Sequence, residues 1–212
     1  MSPRGVTTPD VRERLFAAAE RVLERDGPGA LTSRAITGEA GCAKGLLHAH
    51  FRGLDQFVAE LVLDRFARVA RHAEELRGRV GQGTVAENLH GTALALLSSA
   101  GPTVAGLALT RPGASSHIRE ALAGGAPGFD TVQDAITGYL DAERRGGRIA
   151  ERADTAAAAL ALVGTVHHLL MTGAHDRQQA QERVGQLVTL LDAALRRGPG
   201  DAASEPGRAE TE

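Results

Sequence analysis

The sequence predicts an all-α protein, with a small three-helix N-terminal unit followed by a larger helical region. Three observations carry this. Apolar residues recur at helical spacing along the 212-residue chain, no segment shows the period-two alternation of a strand, and Gly/Pro clusters punctuate the pattern at helix-length intervals.

The first helix is expected from about Pro9 to Arg25, because Val11, Leu15, Ala18 and Val22 follow one another at steps of four, three and four. Pro9 suits a first turn, Asp10 and Glu13 complement the helix dipole, and Asp26-Gly27-Pro28-Gly29 ends the element. Thr32 is placed to cap a second helix running to about Ala40, and Gly41 to stop it in a left-handed conformation. A third short helix, about Lys44 to His50, follows at once. Two short helices joined by a glycine-containing turn make a helix-turn-helix.

A longer helix is expected over about 54–79, then helices near 84–100, 103–110, 115–123, 127–146, 154–174 and 178–197. The organisation is therefore 1–53 as the three-helix unit, 54–197 as the larger helical region and 198–212 as a tail. That tail, GPGDAASEPGRAETE, has almost no apolar side chains and is expected to be disordered.

Composition narrows the function classes. The formal charge is −2, so any nucleic-acid surface must be a local patch. The single cysteine, Cys42, excludes an internal disulfide and a cysteine-rich zinc module. It reads as a small turn residue, with redox sensing as the alternative. No leader-like segment opens the chain and no apolar run of about twenty residues could span a bilayer, so a cytoplasmic protein with no membrane partner is expected.

Two later segments point to a partner. Residues 155–171 are apolar on nearly every face, with Leu160, Leu162, Val163, Val166, Leu169 and Leu170 around the axis, while Val184, Leu187, Val188, Leu191 and Leu195 form a stripe on the last helix. Packing within one subunit would leave apolar surface exposed, and pairing both helices with a second copy would cover it in a four-helix interface. A single crowded helix at the centre of a monomer is the alternative.

The chemistry concentrates in GEAGCAKGLLHAHFRGLDQF, residues 38–57. In a helix-turn-helix the second helix enters the major groove and the first crosses the phosphate backbone. Lys44, the only lysine, can reach a phosphate or a guanine edge, and Gly45 allows close backbone approach. Thr32, Ser33 and Arg34 suit phosphate anchoring. Leu47 and Phe51 fall on the inward face. Leu46 is open between touching a thymine methyl and lying exposed, and His48 and His50 between phosphate contacts and neutral hydrogen-bonding groups.

The run from Val11 to Phe57 resembles the N-terminal domain of TetR-family transcriptional regulators. LFAAAERVL, LTSRAITGEAG, CAKGLLHAHF and DQFVAELV stand in for its four helices, and Thr32, Ile36, Ala40, Gly41, Lys44, Gly45, Leu47, His50 and Phe51 fall at the family's spacing. The resemblance implies a bacterial, ligand-responsive regulator, expected to act as a repressor. It would bind a roughly palindromic double-stranded DNA operator as a homodimer through its last two helices and be released by a small-molecule effector.

The chain also departs from the pattern. Ala43 replaces the usual capping serine, Leu46 a small polar residue, His48 the usual tyrosine and Leu54 the usual lysine. Losing that tyrosine and lysine implies fewer phosphate contacts, for which Arg52, His48 and Arg14 are candidate replacements. A TetR-like helical small-molecule- or protein-binding module that has lost specific DNA binding is the alternative reading.

The resemblance places an effector pocket between the fourth helix and the helices up to about 146. Thr103, His117, Tyr139 and His167 are its polar candidates, in a lining whose scarcity of aromatics suits an apolar or aliphatic effector. Neither a HExxH pair, a GxSxG elbow nor a phosphate-binding glycine loop occurs. No catalytic residue, metal site or cofactor is therefore expected, and the protein is read as a non-enzyme.

Overall fold

The computed structural model describes residues 8–99, 106–107, 110–172 and 177–197. Among them are nine α-helices, two 3-10 turns and no strand, as the periodicity predicts. The helices are α1 Thr8–Asp26, α2 Ser33–Glu39, α3 Leu46–His50, α4 Leu54–Glu74, α5 Val85–Ser99, α6 Pro112–Ala123, α7 Phe129–Arg145, α8 Thr155–Met171 and α9 Arg177–Arg197. The expected tail, Thr103 and most of the expected 103–110 helix lie outside the described residues.

Helix ends follow local chemistry. Thr32 accepts a hydrogen bond from the Ala35 amide (3.1 Å), as a capping residue should. Thr84 and Glu87 form a capping box at α5, each side chain accepting from the other's backbone N–H at 3.1 and 3.0 Å. Asp154 caps α8 through the Ala157 amide (2.9 Å). α2 and α7 end in the same six-residue closure. Gly41 (φ 63°) and Gly147 (φ 74°) turn the chain, and the Cys42 and Arg148 amides reach back to the carbonyls of Thr37 and Glu143 at 2.9 and 3.0 Å.

Three expected boundaries are corrected. The third helix starts at Leu46, with Lys44 and Gly45 in the preceding turn. No side chain caps that start, which leaves its first amides without a local acceptor of the serine type. The fourth helix ends at Glu74 and passes into a 3-10 turn, Glu75–Arg79. The sixth begins at Pro112, because a proline is tolerated where the first helical N–H has no partner.

The chain forms two compact units. One comprises Met1–Arg68, Ser99–Gly128 and Leu169–Ala174, and the other Val69–Ser98, Phe129–His168 and His175–Glu212, as far as these are described. In the first, α1 packs on α2 and α2 on α3. Its core joins Leu15, Phe16 and Val22 of α1 to Ile36, Leu47, Phe51, Phe57 and Leu61. Three of the chain's five phenylalanines meet there: the Phe51 ring lies 4.9 Å from Phe57 and 5.9 Å from Phe16, centre to centre. Arg65, only 5% exposed, is held by Glu20 (2.5 and 2.7 Å) and Asp64 (2.5 Å).

The second unit buries Tyr139, Leu140 and Ile136 of α7, with Leu162, Val163 and Val166 of α8 and Val184, Val188 and Leu195 of α9. A buried polar cluster sits among them. The Asn88 amide donates to Tyr139 Oη (2.9 Å) and to the Gln82 carbonyl (2.8 Å). Glu143, 1% exposed, accepts from the Gly81 amide and from Arg148, both at 3.2 Å. Arg148 also donates to the Gly83 carbonyl. Both hydrogen bonds to Glu143 fall on Oε1; Oε2 accepts none among the described residues, and Arg148 at 3.2 Å offsets part of the cost of burying its charge.

Candidate nucleic-acid interface

The interface is built on α2, the turn after it, and α3. Leu47 is fully buried and Phe51 nearly so, which anchors α3 from beneath. On the other side Thr32, Arg34, Lys44, Gly45, His48, Ala49 and Arg52 are exposed, while Ser33, Leu46 and His50 are half-buried. The nine sequence-predicted contact residues therefore lie at the start of α2, on α3 and in the chain flanking α3.

The charges sort into two groups. Arg12 pairs with Glu60 and also lies 4.7 Å over the Phe51 ring. Arg21 and Arg25 share Glu39 at 2.8 and 2.9 Å. These two hydrogen bonds, Arg21's first, hold the Glu39 carboxyl below its ordinary range. Arg14 donates to the Ala40 carbonyl (3.1 Å) and lies 3.6 Å from Cys42 Sγ. It therefore secures the turn, which sequence reasoning had offered as a replacement phosphate contact. Cys42 is half-buried in that turn, its thiol also 3.4 Å from the Ala40 carbonyl.

Arg34, Lys44 and Arg52 form the second group. Among the described residues none of them has a carboxylate within ion-pair distance. They flank α3 and open α2. Arg12, Arg21 and Arg25 are ion-paired and Arg14 donates to a backbone carbonyl, whereas these three have no described carboxylate against them. Seven carboxylates around them, Glu13, Glu20, Asp26, Glu39, Asp55, Glu60 and Asp64, are each already engaged by an arginine.

The described effector candidates belong to different units. His117 is exposed on α6 and lines an open cavity of about 670 Å³ in the first unit with Arg52, Gly53, Leu54, Asp55, Gln56 and Glu120. Tyr139 is sealed in the second unit. Burial, opposed by the Asn88 hydrogen bond and reinforced by Glu143, pushes its phenol up to about 12, so it stays protonated. His167, also in the second unit, is exposed, with its ring 4.6 Å from Phe129. Thr103 lies outside the described residues.

Sequence reasoning missed Asn88, Glu143 and Arg148. Asn88 also lines a cavity of about 220 Å³ with His72, Glu75, Leu76, Arg79, Gly91, Thr92 and Ala95. Tyr139 and Glu143, four apart on α7, offered the available signal. Among the described residues no group of three His, Cys, Asp or Glu could hold a metal ion, and no helix is long and apolar enough to cross a membrane.

Residues 15–61 match the family model for bacterial regulatory proteins of the tetR family. The chain carries a TetR-family domain. The matched segment runs from the middle of α1 into the opening of α4 and takes in α2, α3 and the core residues beneath them. No curated protein matches the chain.

Solved structures share the fold. GusR of Salmonella enterica is 17% identical, with a TM-score of 0.64 over 90% of this chain and 98% of that one. FadR of Bacillus subtilis, solved with stearoyl-CoA, is 19% identical, with a TM-score of 0.59 over 88% and 98%. A TetR transcriptional regulator of Streptomyces coelicolor is 22% identical, with a TM-score of 0.55 over 87% and 98%. The TetR-family domain is thus followed by a helical region whose fold also occurs in these solved structures.

Proposed function

We propose that the protein is a ligand-responsive transcriptional regulator, acting as a repressor that binds a roughly palindromic DNA operator as a homodimer. The observation that carries this is the separation of charges in the TetR-family domain. Arginine after arginine is neutralised inside it, while Arg34, Lys44 and Arg52 stay uncompensated around α3. A phosphate backbone is the partner such a patch suits. Thr32, Ser33 and Arg34 would take phosphates, Lys44 a phosphate or guanine edge, Gly45 and Leu46 the groove floor, and His48, His50 and Arg52 the flanks.

Dimer formation is assigned to α8 and α9. Leu160 and Leu190 are 57% and 66% exposed on these helices. A shallow apolar groove of about 320 Å³, lined by Ala153, Asp154, Ala157, Ala158, Leu191, Ala194 and Leu195, lies between the two. Contact with the same surface of a second copy would cover this area. The effector, apolar or aliphatic, would alter the separation of the two reading helices, and Thr103, His117, Tyr139 and His167 remain its polar candidates. The protein would act in the cytoplasm, without catalysing a reaction.

The deciding experiment is a fluorescence titration of the full chain on the DNA flanking its own gene, across a salt series. A specific complex whose affinity falls steeply with salt supports the reading. The absence of one at low salt favours a module that has lost DNA binding. The uncapped start of α3 and the replacements at His48 and Leu54 are what that second reading rests on.

A further inference from the structure

The five residues of α3 are Leu46, Leu47, His48, Ala49 and His50. Leu47 is buried, and leucine and alanine have no hydrogen-bonding side chain. Any hydrogen bond from a side chain of this helix to DNA must therefore come from an imidazole. Placement agrees. Gly45 and Ala49, four apart and both exposed, form the centre of the outward face, and space around Gly45 is open to at least 4 Å from a would-be Cβ. His48 falls on one flank of that strip, and Leu46 with His50 on the other. A helix with such small residues at its centre can sit deep in a groove about 12 Å wide, with its imidazoles toward the walls where the phosphates run.

We propose that His48 and His50 are the hydrogen-bonding contacts of the reading helix, donating to operator phosphates as imidazolium groups, so that operator binding takes up protons. This rests on the DNA-binding reading above. A phosphate beside an imidazole favours its charged form. Affinity therefore rises as pH falls through the imidazole range, about pH 6 to 7, and levels off below it.

The other charged groups on or beside the elements packed with α3 leave that coupling to the histidines. Lys44, Arg52, Arg34, Arg14 and Arg12 are cations throughout this range. The carboxylates Glu13, Glu20, Asp26, Glu39, Asp55, Glu60 and Asp64 are ion-paired with arginines, and Glu24 is exposed on α1. None of these cations and carboxylates changes charge between pH 6 and 8 in the ordinary course. His117, which lines a cavity with Arg52, and the Cys42 thiol are the other titratable side chains nearby, and the double variant separates them from the α3 imidazoles.

The test uses the full chain and a duplex selected from random DNA, with anisotropy titrations at fixed salt from pH 6 to 8. The wild type should bind at least about tenfold tighter at pH 6 than at pH 8. His48→Gln and His50→Gln should each flatten that dependence, the double variant should abolish it, and His72→Gln on α4 should leave it intact. Circular dichroism melts of each variant verify folding. A complex that forms with a flat pH profile, or a double variant that keeps the wild-type profile, overturns the proposal and leaves DNA binding standing. Failure to select or bind any duplex at any pH overturns the DNA-binding reading, and this proposal with it.

Discussion

Lys44 shows what one residue can decide. It is the only lysine in the chain, it is exposed in the turn before α3, and no carboxylate among the described residues is paired with it. Lys44→Ala should weaken operator binding and lower the salt slope by about one per subunit, read from titrations at several salt concentrations. Unchanged affinity at fixed salt would remove its assigned role. Phe51 decides something different. Its ring touches Phe16 and Phe57 and lies under the Arg12 guanidinium, so Phe51→Ala should cost about 3–5 kcal/mol in urea unfolding. Both placements were legible in the sequence, because a lone cation beside a short apolar helix points outward and its i+3 and i+7 apolar neighbours point inward. That Arg14 is spent on the turn was not legible, since its partner is a backbone carbonyl 26 positions away.

Elements are held in register by their ends. Thr32 caps α2 with one hydrogen bond, and Thr32→Ala should cost about 0.5–2 kcal/mol, measured by thermal or urea unfolding. Glu39, on the last turn of α2, ties it to α1 through Arg21 and Arg25. Because its carboxyl is held below the ordinary range, this tie contributes fully above that range and is lost as pH falls through the depressed value. Melts of the wild type and Glu39→Gln should therefore differ at pH 7 and draw together as the pH is taken well below the ordinary carboxylate range. A gap that stayed constant would mean that the tie is not ionic. The caps at Thr32 and Gly41 were readable because each needs one residue type at one place. The late start of α3 was harder to see, since it depends on an acceptor that Ala43 lacks.

For the whole molecule the open question is assembly. Leu160 and Leu190 expose large apolar side chains on α8 and α9, and such surface is costly to leave in water. Replacing both with glutamate should convert a dimer to a folded monomer in sedimentation, with helix content unchanged by circular dichroism. A dimer that persisted would place the interface elsewhere. The excess of apolar residues over 155–171 was visible in the sequence, but which of them stays outside was not. Leu162, Val163, Val166, Leu169 and Leu170 are buried while Leu160 is not, a choice made by the packing of α8.

The sequence by itself determined the helical class, the helix-turn-helix corner and the likeness to the TetR family. All three rest on local rules, in which periodicity, caps and turn glycines act over a few neighbouring residues. Only the tertiary structure decided which charges are spent. Arg12, Arg14, Arg65 and Arg148 meet partners as far as 65 positions away, whereas Arg34, Lys44 and Arg52 have no carboxylate at ion-pair distance among the described residues. It likewise put Tyr139 against Asn88 inside one unit and left His117 beside Arg52 in the other. The physical reason is that a side chain's electrostatic role depends on the groups folding brings within a few ångströms, and linear spacing does not encode them.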